Sequence, residues 1–175
     1  MAEYIFKYGK GEVCLNIDEG NVIGELNGSN KAAIENIGQE LYEALENPVE
    51  SLPLKKLINA GEKITLVISD MTRFWMRQDL VIAHIIDYLN QNGVKDEDIT
   101  ILIANGTHLP APKNEIEMLV TKAISDRIKV VNHECESKEL IYVGTTSRGT
   151  EVELNPLVVN QKTICLGASA HHIMA

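Results

Sequence analysis

The sequence is poor in most of the residues that mark specialised chains. It has 3 cysteines in 175 residues, Cys14, Cys135 and Cys165, which are odd in number, far apart and without a C-x-x-C pair. That pattern argues against a structural disulfide or a zinc ribbon. Cys165 lies within the apolar run TICLG and reads as a small buried hydrophobe. Basic residues are also scarce, with 16 Lys+Arg against 25 Asp+Glu and a net charge of −9. No basic stripe offers the counter-charge that a phosphate backbone requires, so nucleic acid is not an expected partner. No apolar run approaches the ~20 residues that cross a bilayer, and the opening MAEYIFKYGK lacks the apolar stretch of a secretion signal. The expectation is a cytoplasmic chain with no membrane partner. Also missing are G-x-G-x-x-G after the first strand, G-x-x-x-x-G-K-[ST], G-x-S-x-G and H-E-x-x-H, which argues against ordinary dinucleotide and P-loop sites.

What is present is an average globular composition, 45% hydrophobic and 23% charged, which excludes a disordered or collagen-like chain. The length suits one compact domain over residues 1–175. The opening YIFKYGKGEVCLNID reads as a hairpin around Gly9-Lys10-Gly11. Ile34, Ile37, Leu41 and Leu45 recur at helical spacing, predicting a helix from Lys31 to Glu46 behind the capping residues Ser29 and Asn30. A short helix over Pro53 to Ala60, stopped by Gly61, is predicted next.

Four apolar runs then each end in a polar cluster. They are ITLVI into Ser69-Asp70-Met71-Thr72-Arg73, ITILI into Asn105-Gly106-Thr107-His108, IKVV into Asn132-His133-Glu134, and TICL into the segment Gly167 to His172. Between the first two, Gln78 to Asn92 carries Val81, Ile82, Ile85, Ile86 and Leu89 on one stripe before Gly93; between the second and third, Pro112 precedes Ile116, Leu119 and Val120. The order is βαβαβ. Continuous apolar strands belong to parallel sheets buried on both faces, and right-handed crossovers gather all strand C-termini on one edge. The predicted fold is therefore α/β, a Rossmann-like, mostly parallel sheet with flanking helices, plus the N-terminal hairpin and a second hairpin near residues 140–154. The fourth run has no assignable place in that sheet.

The same topology brings Asp70, Arg73, His108 and His133 to one edge, where open α/β sheets bind ligands. Each has an ordinary reading as well. Asp70 and Thr72 are residue types that cap a following helix, here one beginning near Gln78, His133 reads equally as a strand-end residue that bonds backbone, and His84 between apolar neighbours reads as a packed or half-exposed histidine. The turn Thr145 to Gly149 is explained by a hairpin. Arg73 beside Phe74-Trp75 is better suited to a bidentate grip on a carboxylate or phosphate. His171 and His172 are adjacent, so at most one enters the crevice. An arginine with two or three histidines supports proton transfer on a small organic acid.

Several segments carry a resemblance. Ser69-Asp70-Met71-Thr72-Arg73 resembles the S-D-x-T-R segment, Ala104-Asn105-Gly106-Thr107-His108 the A-x-G-x-H segment, and LIYVGTTSRGTEVELN the G-x-T-x-x-G-x-x-x-x-x-N stretch of nickel-dependent lactate racemases and related 2-hydroxyacid racemases. The tail from Ile164 to Ala175 is similar to the family's I-x-x-G-x-x-x-P-H-x-x-A segment. The resemblance implies a nickel pincer nucleotide whose ring takes a hydride from C2 of a 2-hydroxyacid and returns it to the other face of the 2-ketoacid. It further implies that His108 and His172 are the two bases, that Arg73 holds the substrate carboxylate, and that Asp70 and Thr72 line the cofactor site. The sequence departs from the family at Phe74-Trp75, Leu109 and His171, where the family has proline after T-R, arginine after the histidine, and proline. Such changes alter pocket shape and charge, so the particular hydroxyacid is open. The glycine-rich stretch with the cofactor-attaching lysine, the metal-binding histidine and the second domain of the family are not in this sequence. The expectation is an N-terminal domain whose partner is its own C-terminal domain, with no metal ligand in this chain and neither nickel nor racemisation by these residues alone. Two rival expectations stand beside it: a non-catalytic α/β domain that binds a small anion or nucleotide, and a fold kept for an assembly role.

Overall fold

The computed structural model describes residues 1–26 and 32–169. The chain forms two compact units, Met1–Ala33 and Ile34–Ala175. In the first, β1 (Ala2–Tyr8) and β2 (Gly11–Ile17) pair antiparallel from Ala2↔Ile17 to Tyr8↔Gly11. The reversal rests on Gly9 at φ 59°, a left-handed conformation that favours glycine. The hairpin predicted from sequence is therefore present. A two-stranded ribbon has little to bury its side chains against, and Ile5, Phe6, Tyr8, Val13 and Leu15 are all exposed.

The second unit begins with α1 (Ile37–Glu46) and α2 (Leu54–Leu57). The helix expected from Lys31 starts six residues later, at Ile37. The reason is the cap: Asn36 is extended, and its Oδ1 accepts the Gln39 backbone N–H at 3.0 Å, so the chain ahead of it does not continue the helix. Ser29 and Asn30 lie outside the described residues. The second helix forms but ends at Leu57, leaving Ile58 extended and buried.

From there the expected alternation is observed. The elements are β3 (Ile64–Ser69), α3 (Asp79–Gln91), β4 (Ile99–Ala104), α4 (Lys113–Val120), α5 (Lys122–Ser125) and β5 (Lys129–Asn132). A separate hairpin of β6 (Ile141–Thr145) and β7 (Glu151–Leu154) follows, then α6 (Pro156–Asn160) and β8 (Lys162–Cys165). The main sheet has the order β5-β4-β3-β8, all parallel. The fourth apolar run thus has its place: the chain adds strands outward from β3 to β5, then returns to lay β8 on the other side of β3.

β3 and β4 are the inner strands, and Ile64, Leu66, Ile68, Ile99, Ile101 and Ile103 are almost wholly buried against Ile82, Ile86 and Leu89 of α3 and Leu119 and Val120 of α4. Each such side chain contributes roughly 1.5–3 kcal/mol of transfer free energy, which makes this the energetic centre of the unit. Alternation along β8 explains one correction. Ile164 packs against the core while the next residue, Cys165, faces the other way on an edge strand, so its thiol is exposed rather than buried. Gly93 ends α3 at φ 87°, and a Cβ there would sit 2.9 Å from Ala60 Cβ, so both backbone and packing require glycine.

Candidate active site

The end of β3 is completed by a side chain. Val67 C=O accepts the Leu166 N–H at 2.9 Å, which is where pairing to β8 runs out. Two residues on, Ser69 faces the same way with no strand left to meet it. Gln78 takes that place: its Nε2 donates to Ser69 O at 2.7 Å, and its Oε1 accepts Ser69 N–H at 3.2 Å. Gln78 is 1% exposed, and its paired amide settles the strand end from which the next residue, Asp70, projects.

Asp70 is the extended cap of a 3₁₀ turn over Met71–Met76. Its Oδ1 accepts both the Thr72 backbone N–H at 3.2 Å and the Thr72 hydroxyl at 2.5 Å. The capping reading of Asp70 and Thr72 is therefore correct in kind, but the capped element is this turn and not α3, which begins at Asp79. The other oxygen, Oδ2, meets His108 Nδ1 at 2.5 Å. Asp70 is 7% exposed, and burial alone pushes its carboxyl up; the bonds from Thr72 and His108 outweigh that and hold it below its usual range.

His108 reaches Asp70 from the loop after β4. Gly106 at φ 58° turns the chain, His108 N–H donates to Asn105 O at 3.0 Å, and Asn105 Nδ2 donates to Leu109 O at 3.3 Å. Asn132 clasps the far side of this loop, accepting Ala111 N–H at 2.9 Å and donating to Ala111 O at 3.2 Å. An ionised carboxylate only accepts, so His108 Nδ1 carries a proton and Nε2 is left as the atom that takes or gives one. With its side chain 56% exposed, the ring is anchored at one nitrogen and open at the other.

Arg73, on the turn that Asp70 caps, is exposed, and its guanidinium has no carboxylate partner among the described residues. Arg77 differs: it pairs with Asp79 through two bonds of 3.0 and 2.9 Å, and its guanidinium lies 5.9 Å from the Phe74 ring centre. Of the two arginines, Arg73 is the one available to an anion. Trp75 and Leu109, two of the departures from the family pattern, are both exposed beside these loops. His133 follows β5 on the same edge, its backbone N–H donating to Ile103 O at 2.9 Å, with its ring against Asn155. His84 instead lies exposed on α3 with its ring over Gly38 of α1, away from this edge. His171 and His172 lie outside the described residues.

The expectation that strand ends gather Asp70, Arg73, His108 and His133 thus matches the topology, and Asp70 and His108 touch. Gln78, Asn132 and Asn155 were missed as site-building residues. Asn132 had a signal in the polar cluster that follows IKVV, and Asn155 as the last residue of the G-x-T-x-x-G-x-x-x-x-x-N stretch. As for a cofactor, Arg73 fits a negatively charged group, whereas both Asp70 oxygens are engaged within the chain. The described residues contain no group of three His, Cys, Asp or Glu side chains placed to hold a metal ion.

Known proteins share this fold and family. The lactate racemase of Thermoanaerobacterium thermosaccharolyticum is 25% identical over 162 residues, covering 91% of this chain and 38% of that protein. The structure of the lactate racemase apoprotein from that organism has the same fold, with a TM-score of 0.74 at 21% identity over 94% of this chain and 38% of the other. The chain therefore spans well under half the length of the relative it matches. The lactate racemase N-terminal domain family matches residues 8–175, nearly the whole sequence, and the chain belongs to that family.

Proposed function

We propose that the strand-end edge is one wall of the active site of a 2-hydroxyacid racemase of the lactate type. The observation that carries this reading is the Asp70–His108 pair joining the ends of β3 and β4, with Arg73 on the turn that Asp70 caps and without a carboxylate partner among the described residues. A racemase must take a proton from the C2 hydroxyl and later return it, so it needs a base whose lone pair faces the substrate. His108 meets that need: Asp70 holds Nδ1–H, Nε2 accepts the hydroxyl proton, and the buried carboxylate offsets the charge that the ring gains. Thr72 keeps Asp70 in place by occupying its other oxygen. Arg73 holds the substrate carboxylate in a two-bond grip, which fixes C2 against His108. A second base is required on the opposite side of the planar intermediate, and His172 takes that role by the family resemblance.

In this reading a nickel pincer nucleotide supplies a hydride acceptor and donor when bound. The described residues fit the part of such a group that carries negative charge, through Arg73, and no three His, Cys, Asp or Glu side chains among them are grouped to hold its metal. The remaining wall comes from a C-terminal domain as partner, and the location is cytoplasmic. No helix among the described residues is long and apolar enough to cross a membrane.

The test uses the cofactor-loaded enzyme that contains this domain. His108→Ala is expected to abolish interconversion of lactate enantiomers, read by chiral chromatography, as is His172→Ala. Arg73→Ala loses a charge-assisted bond worth about 1.5–3 kcal/mol and should raise KM roughly 10–100-fold. A His108→Ala enzyme that retains racemisation would overturn the assignment, and so would tight anion or nucleotide binding by this chain that is indifferent to Arg73.

A further inference from the structure

His133 is not used by the mechanism above, yet the structure specifies its ring closely. Asn155 is the extended N-cap of α6, and its Oδ1 accepts the Leu157 backbone N–H at 3.0 Å. A backbone N–H can only donate, so that contact fixes which end of the amide is oxygen. The other end, Nδ2, lies 3.3 Å from His133 Nδ1. An amide NH₂ can only donate as well, so Nδ1 must accept, and the ring's proton sits on Nε2. The Nε2 atom has no hydrogen-bond partner among the described residues, and the half-buried ring stands beside the strand whose loop carries His108.

We propose that His133 is a further ligand-binding residue of this edge, held by Asn155 as a neutral Nε2–H donor toward an oxygen of the small oxyacid. The inference rests on the 2-hydroxyacid reading and adds a specificity-determining group to it. A neutral donor suits a carboxylate, hydroxyl or keto oxygen without removing a proton from it, which leaves the base chemistry to His108 and His172. It also gives the β6–β7 hairpin a purpose, since that segment delivers Asn155 back to the end of β5. Asn155 acts through His133 and is a positioning residue.

The experiment is nitrogen-15 spectroscopy of the histidine rings in the cofactor-loaded enzyme that contains this domain, with L-lactate as the added probe. In the wild type, the His133 Nδ1 signal should be that of an unprotonated nitrogen and Nε2 that of a protonated one. Asn155→Asp keeps an oxygen for Leu157 N–H but presents an acceptor to the ring, so the proton should move to Nδ1 with the backbone spectrum otherwise preserved. Asn155→Ser, which retains a cap without reaching the ring, should give mixed tautomers. Saturable lactate binding should shift His133 Nε2, and Asn155→Asp should weaken that binding at least several-fold. A wild-type ring already protonated at Nδ1, or a tautomer unmoved in Asn155→Asp, overturns the inference. Lactate shifts at His108 with His133 unmoved overturn it while leaving the 2-hydroxyacid reading intact; silence at both histidines overturns both.

Discussion

Two histidines stand at neighbouring strand ends, and their partners have opposite hydrogen-bonding character. His108, after β4, meets a carboxylate at 2.5 Å; His133, after β5, meets an amide nitrogen at 3.3 Å. In both cases a backbone N–H anchors the partner's other end, Thr72 for Asp70 and Leu157 for Asn155. The carboxylate requires a proton on Nδ1 and leaves Nε2 a lone pair, which makes a base. The amide requires a lone pair on Nδ1 and leaves Nε2 a proton, which makes a donor. One residue type thus acquires two chemistries from its second neighbour, and the choice between Asp and Asn sets which.

The largest expected effect removes both ends together. Ile103 is fully buried in β4, and its carbonyl accepts the His133 N–H. Ile103→Ala should cost about 2–5 kcal/mol through lost burial and the cavity left behind, read as a lower denaturant midpoint. Asp70→Asn is more selective and makes the two ends alike. Thr72 would hold the amide oxygen, the NH₂ would face His108, and the His108 proton should move from Nδ1 to Nε2, as at His133. The base is then lost, and racemisation by the loaded enzyme should fall roughly 10²–10⁴-fold. The stability cost, about 1–3 kcal/mol, should depend on pH. The Asp70 carboxyl is held below its usual range when folded, so its contribution is complete above about pH 4 and is lost as pH falls through the lower folded value. Unfolding curves of wild type and Asp70→Asn should converge in acid and separate toward neutrality.

These pairs show which parts of the molecule the sequence could and could not disclose. The runs ITLVI and ITILI are apolar but for Thr65 and Thr100 because β3 and β4 are buried on both faces, so strand identity, parallel pairing and the common edge follow from local pattern and the order of the elements. That edge contains Asp70, Arg73, His108 and His133, and the two hairpins were marked by glycines between β-prone runs. Pairings across sequence distance carry no local signal. Asn155 and His133 are 22 positions apart, Gln78 replaces a missing strand partner at Ser69, and Asn132 clasps Ala111 across 21 positions. Each depends on where strands end in three dimensions. The late start of α1 and the exposure of Cys165 have the same origin: a cap chosen by Asn36 and an edge position for β8 override a periodic apolar pattern.

Two smaller effects separate the brace between the two ends from the loop surface. Asn132→Ala leaves Ala111, which is 6% exposed, without partners for its N–H and its C=O, so about 2 kcal/mol of stability should be lost. The loss should be local as well as global, because Ala111 closes the loop that carries His108; amide exchange at Ala111 should accelerate more than exchange in the interior of β4. Leu109 lies in the same loop, only two residues away, but is 89% exposed and contributes to the fold through its backbone carbonyl, which accepts from Asn105. Leu109→Ala keeps that carbonyl, so the denaturant midpoint should shift by no more than about 0.5 kcal/mol equivalent. If Leu109→Ala instead cost as much as Asn132→Ala, the loop would be held by its apolar side chain rather than by hydrogen bonds, and the tautomer at His108 would depend on packing as well as on Asp70.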